Sequence, residues 1–224
     1  LLGDASKTRS FGGKLNQRFL SMCGGIAPLL FVFIAILGGA IRPGYSHLSD
    51  TVSELFSPGS PNKLLLDILN AVYALLLVLF GIGVLQLVQR SKLFGQIGVV
   101  GASMFMAMGL LSVLTATIFP QDAWGSLPTF PGKMHIILGG VITLLSIPSM
   151  ALIGIWLNRT GLFPRFRTYS FITVGAVVLS TGFFLAKAGS PIMGLTERIV
   201  VLIQFQWIFV LALWMFSRKG NAGG

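Results

Sequence analysis

Few side chains in this 224-residue sequence are equipped for chemistry, and they gather in short strings. Ser46-His47-Leu48-Ser49-Asp50-Thr51-Val52-Ser53-Glu54 holds one of the two histidines with two carboxylates, and Phe119-Pro120-Gln121-Asp122 holds a third. His135 follows, and Gly194-Leu195-Thr196-Glu197-Arg198 sets an acid beside a base. Two imidazoles with two or three carboxylates suffice for zinc or another divalent ion, or for acid/base work by a histidine poised near neutral pH. The candidate catalytic residues are therefore His47, Asp50, Glu54, Asp122 and His135, with Ser53, Glu197 and Arg198 as candidate binding residues. The spacing assigns no metal and no cofactor: there is no His-Glu-x-x-His and no histidine pair at i, i+4. The single cysteine, Cys23, excludes an intramolecular disulfide or a thiolate cluster.

Composition dictates the elements that position these residues. The chain is 54% hydrophobic and 10% charged, with a mean hydropathy of +0.86, whereas soluble domains run at about 25% charged. A soluble fold is excluded. Six apolar runs, at 20–41, 64–88, 96–118, 135–157, 169–188 and 199–217, each approach the length needed to cross about 30 Å of hydrocarbon. Turn-rich clusters separate them, among them Arg42-Pro43-Gly44, Ser57-Pro58-Gly59-Ser60-Pro61 and Gly189-Ser190-Pro191. The first run is too long for a signal-peptide core and reads as a retained helix. The expected organisation is all-α: a basic cytoplasmic segment at 1–19, a six-helix transmembrane domain at 20–217 and a cytoplasmic tail at 218–224.

Orientation follows from the cations. Lys7, Arg9, Lys14, Arg18, Arg90, Lys92, Arg159, Arg165, Arg167, Arg218 and Lys219 fall on one side of the spans, and Arg42, Lys63, Lys133, Lys187 and Arg198 on the other. Eleven against five places both termini in the cytoplasm. It also explains the formal charge of +10 without nucleic acid, which would need a basic stripe on a soluble face. The acids sort oppositely, with Asp50, Glu54, Asp67, Asp122 and Glu197 at the outer face.

The outer loop at 42–63 carries its own pattern. Wound as a helix from Ser46, at about 100° per residue, it sets His47, Asp50, Thr51 and Glu54 on one side and Leu48, Val52, Leu55 and Phe56 on the other, the build of a short amphipathic interfacial helix. The expectation is that this segment folds over the bundle mouth and brings its polar face to Asp122 or His135. Arg198, costly at a span's entry, is expected to meet a carboxylate of Asp122, Glu54 or Glu197. Lys187 has Asp67 as a candidate partner. Asn70, Ser103, Ser112, Thr115, Thr117, Gln204 and Gln206 read as interhelical hydrogen-bonding groups, and Gly98 with Ala102 as a close-packing patch.

Taken together, the 46–55 string, Pro58-Gly59-Ser60-Pro61-Asn62, Phe119-Pro120-x-Asp122, His135 and Gly194-Leu195-x-Glu197-Arg198 resemble the domain of unknown function 998, a prokaryotic six-helix membrane family. The likeness covers essentially all six spans. The Ser-Asp string alone is faintly similar to the Frag1, DRAM and Sfk1 group, linked to lipid and membrane maintenance. The first resemblance implies a prokaryotic cytoplasmic membrane, the fold and the place of a site, and no reaction. Three functions stay open: an enzyme or binder acting on a lipid headgroup or other small anion, a non-catalytic accessory subunit, and a haem or pigment protein ligated by His47 and His135. The bilayer is the one partner implied outright; a membrane-protein partner or a second copy belongs to the accessory reading.

Overall fold

The computed structural model describes residues 16–91, 95–123 and 125–218. Each apolar run becomes one helix: α1 (Gln17–Ile41), α2 (Lys63–Arg90), α3 (Gly95–Thr117), α4 (Phe130–Arg159), α5 (Phe166–Ala186) and α6 (Met193–Ser217). All six are long and apolar enough to span a membrane. No strand occurs among the described residues. The chain is an all-helical membrane protein.

The ends of the helices are set by capping. The Asn16 side chain accepts from the Arg18 N–H at 2.9 Å to start α1. Thr129 accepts from Gly132 N–H at 3.2 Å to start α4, with Pro131 in the first turn where its missing N–H costs nothing. That cap starts α4 before His135, so His135 sits inside the helix rather than at its entry. Likewise α6 begins at Met193, which brings Glu197 and Arg198 into the span instead of ahead of it.

Packing follows chain order. Each helix lies against its sequence neighbours, and α1 closes the ring on α6. Small residues let the helices approach: a Cβ at Gly98 would meet the Trp156 ring of α4 at 2.9 Å, and one at Gly24 would collide with Phe80 of α2. Ala102, one turn beyond Gly98, is fully buried, as a close-packing patch requires.

The polar groups inside the bundle divide into two sets. Ser149 Oγ donates across to Gly101 O at 3.0 Å, Trp207 Nε1 to Ser170 Oγ at 2.9 Å and Gln206 Nε2 to Thr173 Oγ1 at 3.2 Å. Ser112, Thr115 and Thr117 instead turn back on their own helix, to the carbonyls of Met108, Leu111 and Val113, so the interhelical role expected of them is corrected. Asp67 pairs with Lys63 one turn away at 2.5 Å rather than with Lys187, whose ammonium lies over the Phe183 ring.

The loops divide the charges between two faces. The face bearing the 42–62 loop, called the loop face here, carries both signs. The opposite face holds Arg18, Arg90, Arg159, Arg165, Arg167 and Arg218, and no acid among the described residues. The segments assigned to 1–19 and 218–224 fall largely outside the described residues. In a Cys23→Ser background, single cysteines at the exposed Leu127 and Pro164 should react with a membrane-impermeant maleimide from opposite sides. Labelling of both from one side would contradict the six-span topology.

Candidate functional site

The loop after α1 does not wind into the expected helix. Residues 47–49 form a turn, and a 3-10 helix follows at Ser53–Phe56. Short polar side chains account for this by competing for the backbone. The Asp50 carboxylate takes the Ser46 N–H at 2.9 Å and the Ser49 hydroxyl at 2.9 Å. Thr51 and Glu54 make a reciprocal capping box: Thr51 N–H donates to Glu54 Oε2 at 2.8 Å, and Glu54 N–H to Thr51 Oγ1 at 3.3 Å. Glu54 is consequently buried, not displayed on a polar face. Val52, Leu55 and Phe56 turn inward, while Leu48 is left half exposed.

The first turns of α6 clamp this loop. Gly194 N–H donates to Ser49 O at 3.1 Å and Leu195 N–H to Leu48 O at 2.9 Å, which satisfies two N–H groups that the helix itself leaves open. Glu197 accepts from Val52 N–H at 2.5 Å and from Ser53 Oγ at 3.1 Å. The Arg198 guanidinium donates to the carbonyls of His47 (2.9 Å), Asp50 (2.8 Å) and Gly194 (2.8 Å), to the Tyr45 hydroxyl (2.6 Å) and to His47 Nδ1 (3.2 Å). The hydrogen bonds of Arg198 thus run to backbone oxygens, a phenol and an imidazole rather than to a carboxylate, while of the expected carboxylates Glu197 interacts with it through charge. A guanidinium only donates, so His47 Nδ1 accepts and its hydrogen sits on Nε2. Tyr45 passes its own hydrogen to Thr51 O at 2.8 Å. Burial pushes its phenol up to about 12, with Arg198 opposing, so it stays protonated.

Two approaches in this clamp are too close for a side chain. A Cβ on Gly194 would fall inside contact distance of the Asp50 carbonyl, and one on Gly39 of α1 would meet the His47 imidazole at 2.5 Å.

Beneath the loop lies a cavity of about 170 Å³. Val52, Ser53 and Phe56 roof it, and Phe31, Asn70, Tyr73, Ser112, Thr115 and His135 wall it. His135 donates from Nδ1 to Phe119 O at 2.8 Å, which leaves Nε2 to carry the lone pair in the neutral form of the ring. Asn70 and Tyr73 are 7% and 8% exposed. The Asn70 amide, the Tyr73 hydroxyl and His135 Nε2 have no hydrogen-bond partner among the described residues. A second cavity, about 210 Å³ and almost wholly apolar, lies between α1 and α6, lined by Val32, Ala35, Ile36, Leu202 and Phe205 with His47 and Arg198. Phe31 and Val52 line both cavities.

The predicted site residues thereby fall into two groups: His47, Asp50, Ser53, Glu197 and Arg198 meet in the clamp, while Asp122 and His135 interact at the start of α4. His47 borders the apolar cavity and His135 the polar one, on either side of the Phe31–Val52 partition. Asp122 holds the N-cap residue of α4, accepting from Thr129 N–H at 2.8 Å and Thr129 Oγ1 at 2.7 Å. Those two bonds, the hydroxyl's first, hold its carboxyl below the usual carboxylate range. Among the described residues no three His, Cys, Asp or Glu side chains come close enough to hold a metal ion. Of the loop's candidates, Ser53 is the one that shares a cavity with His135. Asn70, Ser112 and Thr115 were legible as polar but not as cavity walls, and Tyr73 carried no signal beyond its i, i+3 spacing from Asn70.

Residues 25–214 match the family described as "Protein of unknown function (DUF998)", and the chain belongs to that family. No curated protein and no solved structure matches it. The match takes in the loop, its clamp and both cavities.

Replacing Arg198 by Ala leaves several carbonyls unanswered, and the loss expected is about 1.5–3 kcal/mol, the range for hydrogen bonds to a charged group. Arg198→Lys should fail to restore it, because one ammonium cannot reproduce the planar fork. Gly194→Ala should cost about 1–3 kcal/mol through overpacking against Asp50. Thermal unfolding in detergent reads all three; a lysine variant as stable as the parent would contradict the clamp.

Proposed function

We propose that this protein lies in a prokaryotic cytoplasmic membrane with its loop face outward, and that it binds the uncharged, hydroxyl-bearing headgroup of an outer-leaflet lipid in the cavity under the loop. The orientation rests on the excess of cations on the opposite face. The ligand class rests on one observation: the nearly buried Asn70 and Tyr73 and the partly exposed His135 border a half-open pocket with hydrogen-bonding capacity that the described protein groups leave unused.

A polar occupant that answers all three groups at once gains hydrogen bonds that are each worth about 0.5–1.5 kcal/mol net. Their chemistry selects it. A lone pair on His135 Nε2 needs a donor, which a hydroxyl supplies and a phosphodiester does not. The amide of Asn70 and the hydroxyl of Tyr73 both donate and accept. No cation lines the cavity, and the guanidinium of Arg198 is already engaged by carbonyls. A glycerol or sugar headgroup fits this set better than the small anion suggested by Arg198 alone.

Binding is also favoured over catalysis. Asp50, Glu54, Asp122 and Glu197 each accept from backbone N–H or hydroxyl donors in holding the loops, so their lone pairs are engaged structurally.

The test compares the parent with Asn70→Leu and Tyr73→Phe, purified in mild detergent, by quantifying co-purified lipid. The parent is expected to retain a hydroxylated lipid stoichiometrically. Asn70→Leu should lose that lipid while melting no lower than the lipid-free parent, since a near-isosteric apolar residue removes an unpaired polar group. The same lipid retained equally by a variant carrying both substitutions would overturn the reading.

A further inference from the structure

The two cavities share walls, and their chemistry is complementary in a way that one molecule would satisfy. Taking the headgroup reading as given, we infer that the apolar cavity between α1 and α6 holds the ester and acyl chain of the same lipid, making the ligand an acylglycerol-type amphiphile seated across the Phe31–Val52 partition.

Three observations carry this. The first is position: Ile36 and Leu202, which border the cavity, are 59% and 51% exposed on the spans, so it opens toward the hydrocarbon surrounding the bundle. The second is its lining, apolar throughout except for His47 and Arg198. The ring of His47 keeps its hydrogen on Nε2, because Nδ1 accepts from Arg198. That Nε2–H, on an exposed ring lying over Gly39 at the rim of the cavity, has no partner among the described residues. An ester carbonyl only accepts, and it is the group such a donor suits. The polar cavity, conversely, wants a hydroxyl donor.

The third is the partition itself. Phe31 packs its ring on Tyr73 of the polar cavity at 5.0 Å between centroids and on Phe205 of the apolar cavity at 5.1 Å. Val52, which likewise lines both cavities, hangs by its N–H from Glu197. Hydroxyls on one side, an ester at His47 and a chain running between α1 and α6 therefore follow the order of groups in an acylglycerol.

The experiment uses a monoacylglycerol with a photoactivatable diazirine in its chain, added to the full-length protein in phosphatidylcholine vesicles. A phosphatidylcholine bearing the same diazirine serves as the reference. Adducts are mapped by mass spectrometry, and lipid retention is measured on the same samples. Monoacylglycerol adducts should concentrate several-fold on Val32, Ile36 and Leu202 over the lipid-facing Ile172 and Leu179 of α5, whereas the phosphatidylcholine probe should label both sets alike. Asn70→Leu should abolish the enrichment. Leu202→Trp, at a half-exposed position that tolerates bulk, should also abolish it by filling the cavity, and Val32→Phe serves as a second filler.

Enrichment that survives Asn70→Leu would mean bulk lipid occupies the cavity, and would overturn the inference. Adducts that fall on α4 near Gly139 and Ile142, or nowhere in particular, while the parent still retains its lipid in an Asn70-dependent way, would overturn the chain's placement and spare the headgroup reading. Retention that ignores Asn70 would remove both.

Discussion

At the edge of a bilayer, every backbone N–H and C=O withdrawn from water must find a partner, and a short non-helical loop supplies only part of its own. The 45–53 stretch meets this constraint by borrowing from α6. Helix N–H groups answer the carbonyls of Leu48 and Ser49, Glu197 answers the N–H of Val52, and Arg198 answers the carbonyls of His47 and Asp50. An acid and a base on adjacent residues thus take the two halves of the peptide group's hydrogen-bonding capacity. Being opposite in sign and adjacent, they also offset one another, which lowers the cost of placing either at that depth.

Much else depends on this arrangement. Because Val52 and Ser53 are tied to Glu197, the roof of the polar cavity has a fixed height above Asn70, Tyr73 and His135. Because Arg198 takes Nδ1 of His47, the imidazole of His47 keeps its donor on Nε2, at the rim of the apolar cavity beside Gly39. Gly194 and Gly39 permit both approaches by having no side chain to obstruct them. The clamp is what converts six lipid-soluble helices into a bundle with two shaped spaces at one end.

How far the sequence discloses this follows from range. Six spans, their breaks and the sorting of charge are local properties of composition, and all are visible in the residues themselves. The Thr51-x-x-Glu54 capping box was equally visible, but the 3.6 period over the same stretch suggested a longer helix; Asp50 and Glu54 folding onto nearby N–H groups prevailed over that period. Glu197 and Arg198 stood out as residues needing partners. Their partners lie about 150 positions away along the chain and are mostly backbone atoms, which no residue type advertises. For Asn70, Ser112 and Thr115, polarity was legible while direction was not, since nothing in a uniformly apolar span marks which face turns toward a cavity. His135 and His47 stand out in the sequence as its two histidines, but their placement beside different cavities is a property of the assembled ring of helices.

The claim on which the account turns is that α6 holds the loop, and backbone hydrogen exchange of the protein in lipid nanodiscs measures it at the atoms concerned. The Val52 amide, bonded to Glu197, should exchange far more slowly than amides of an exposed loop, and Glu197→Ala should accelerate the whole 47–56 segment while leaving the interior of α1 and α2 protected. A Val52 amide that exchanges freely in the parent, or that ignores the loss of Glu197, would contradict the account.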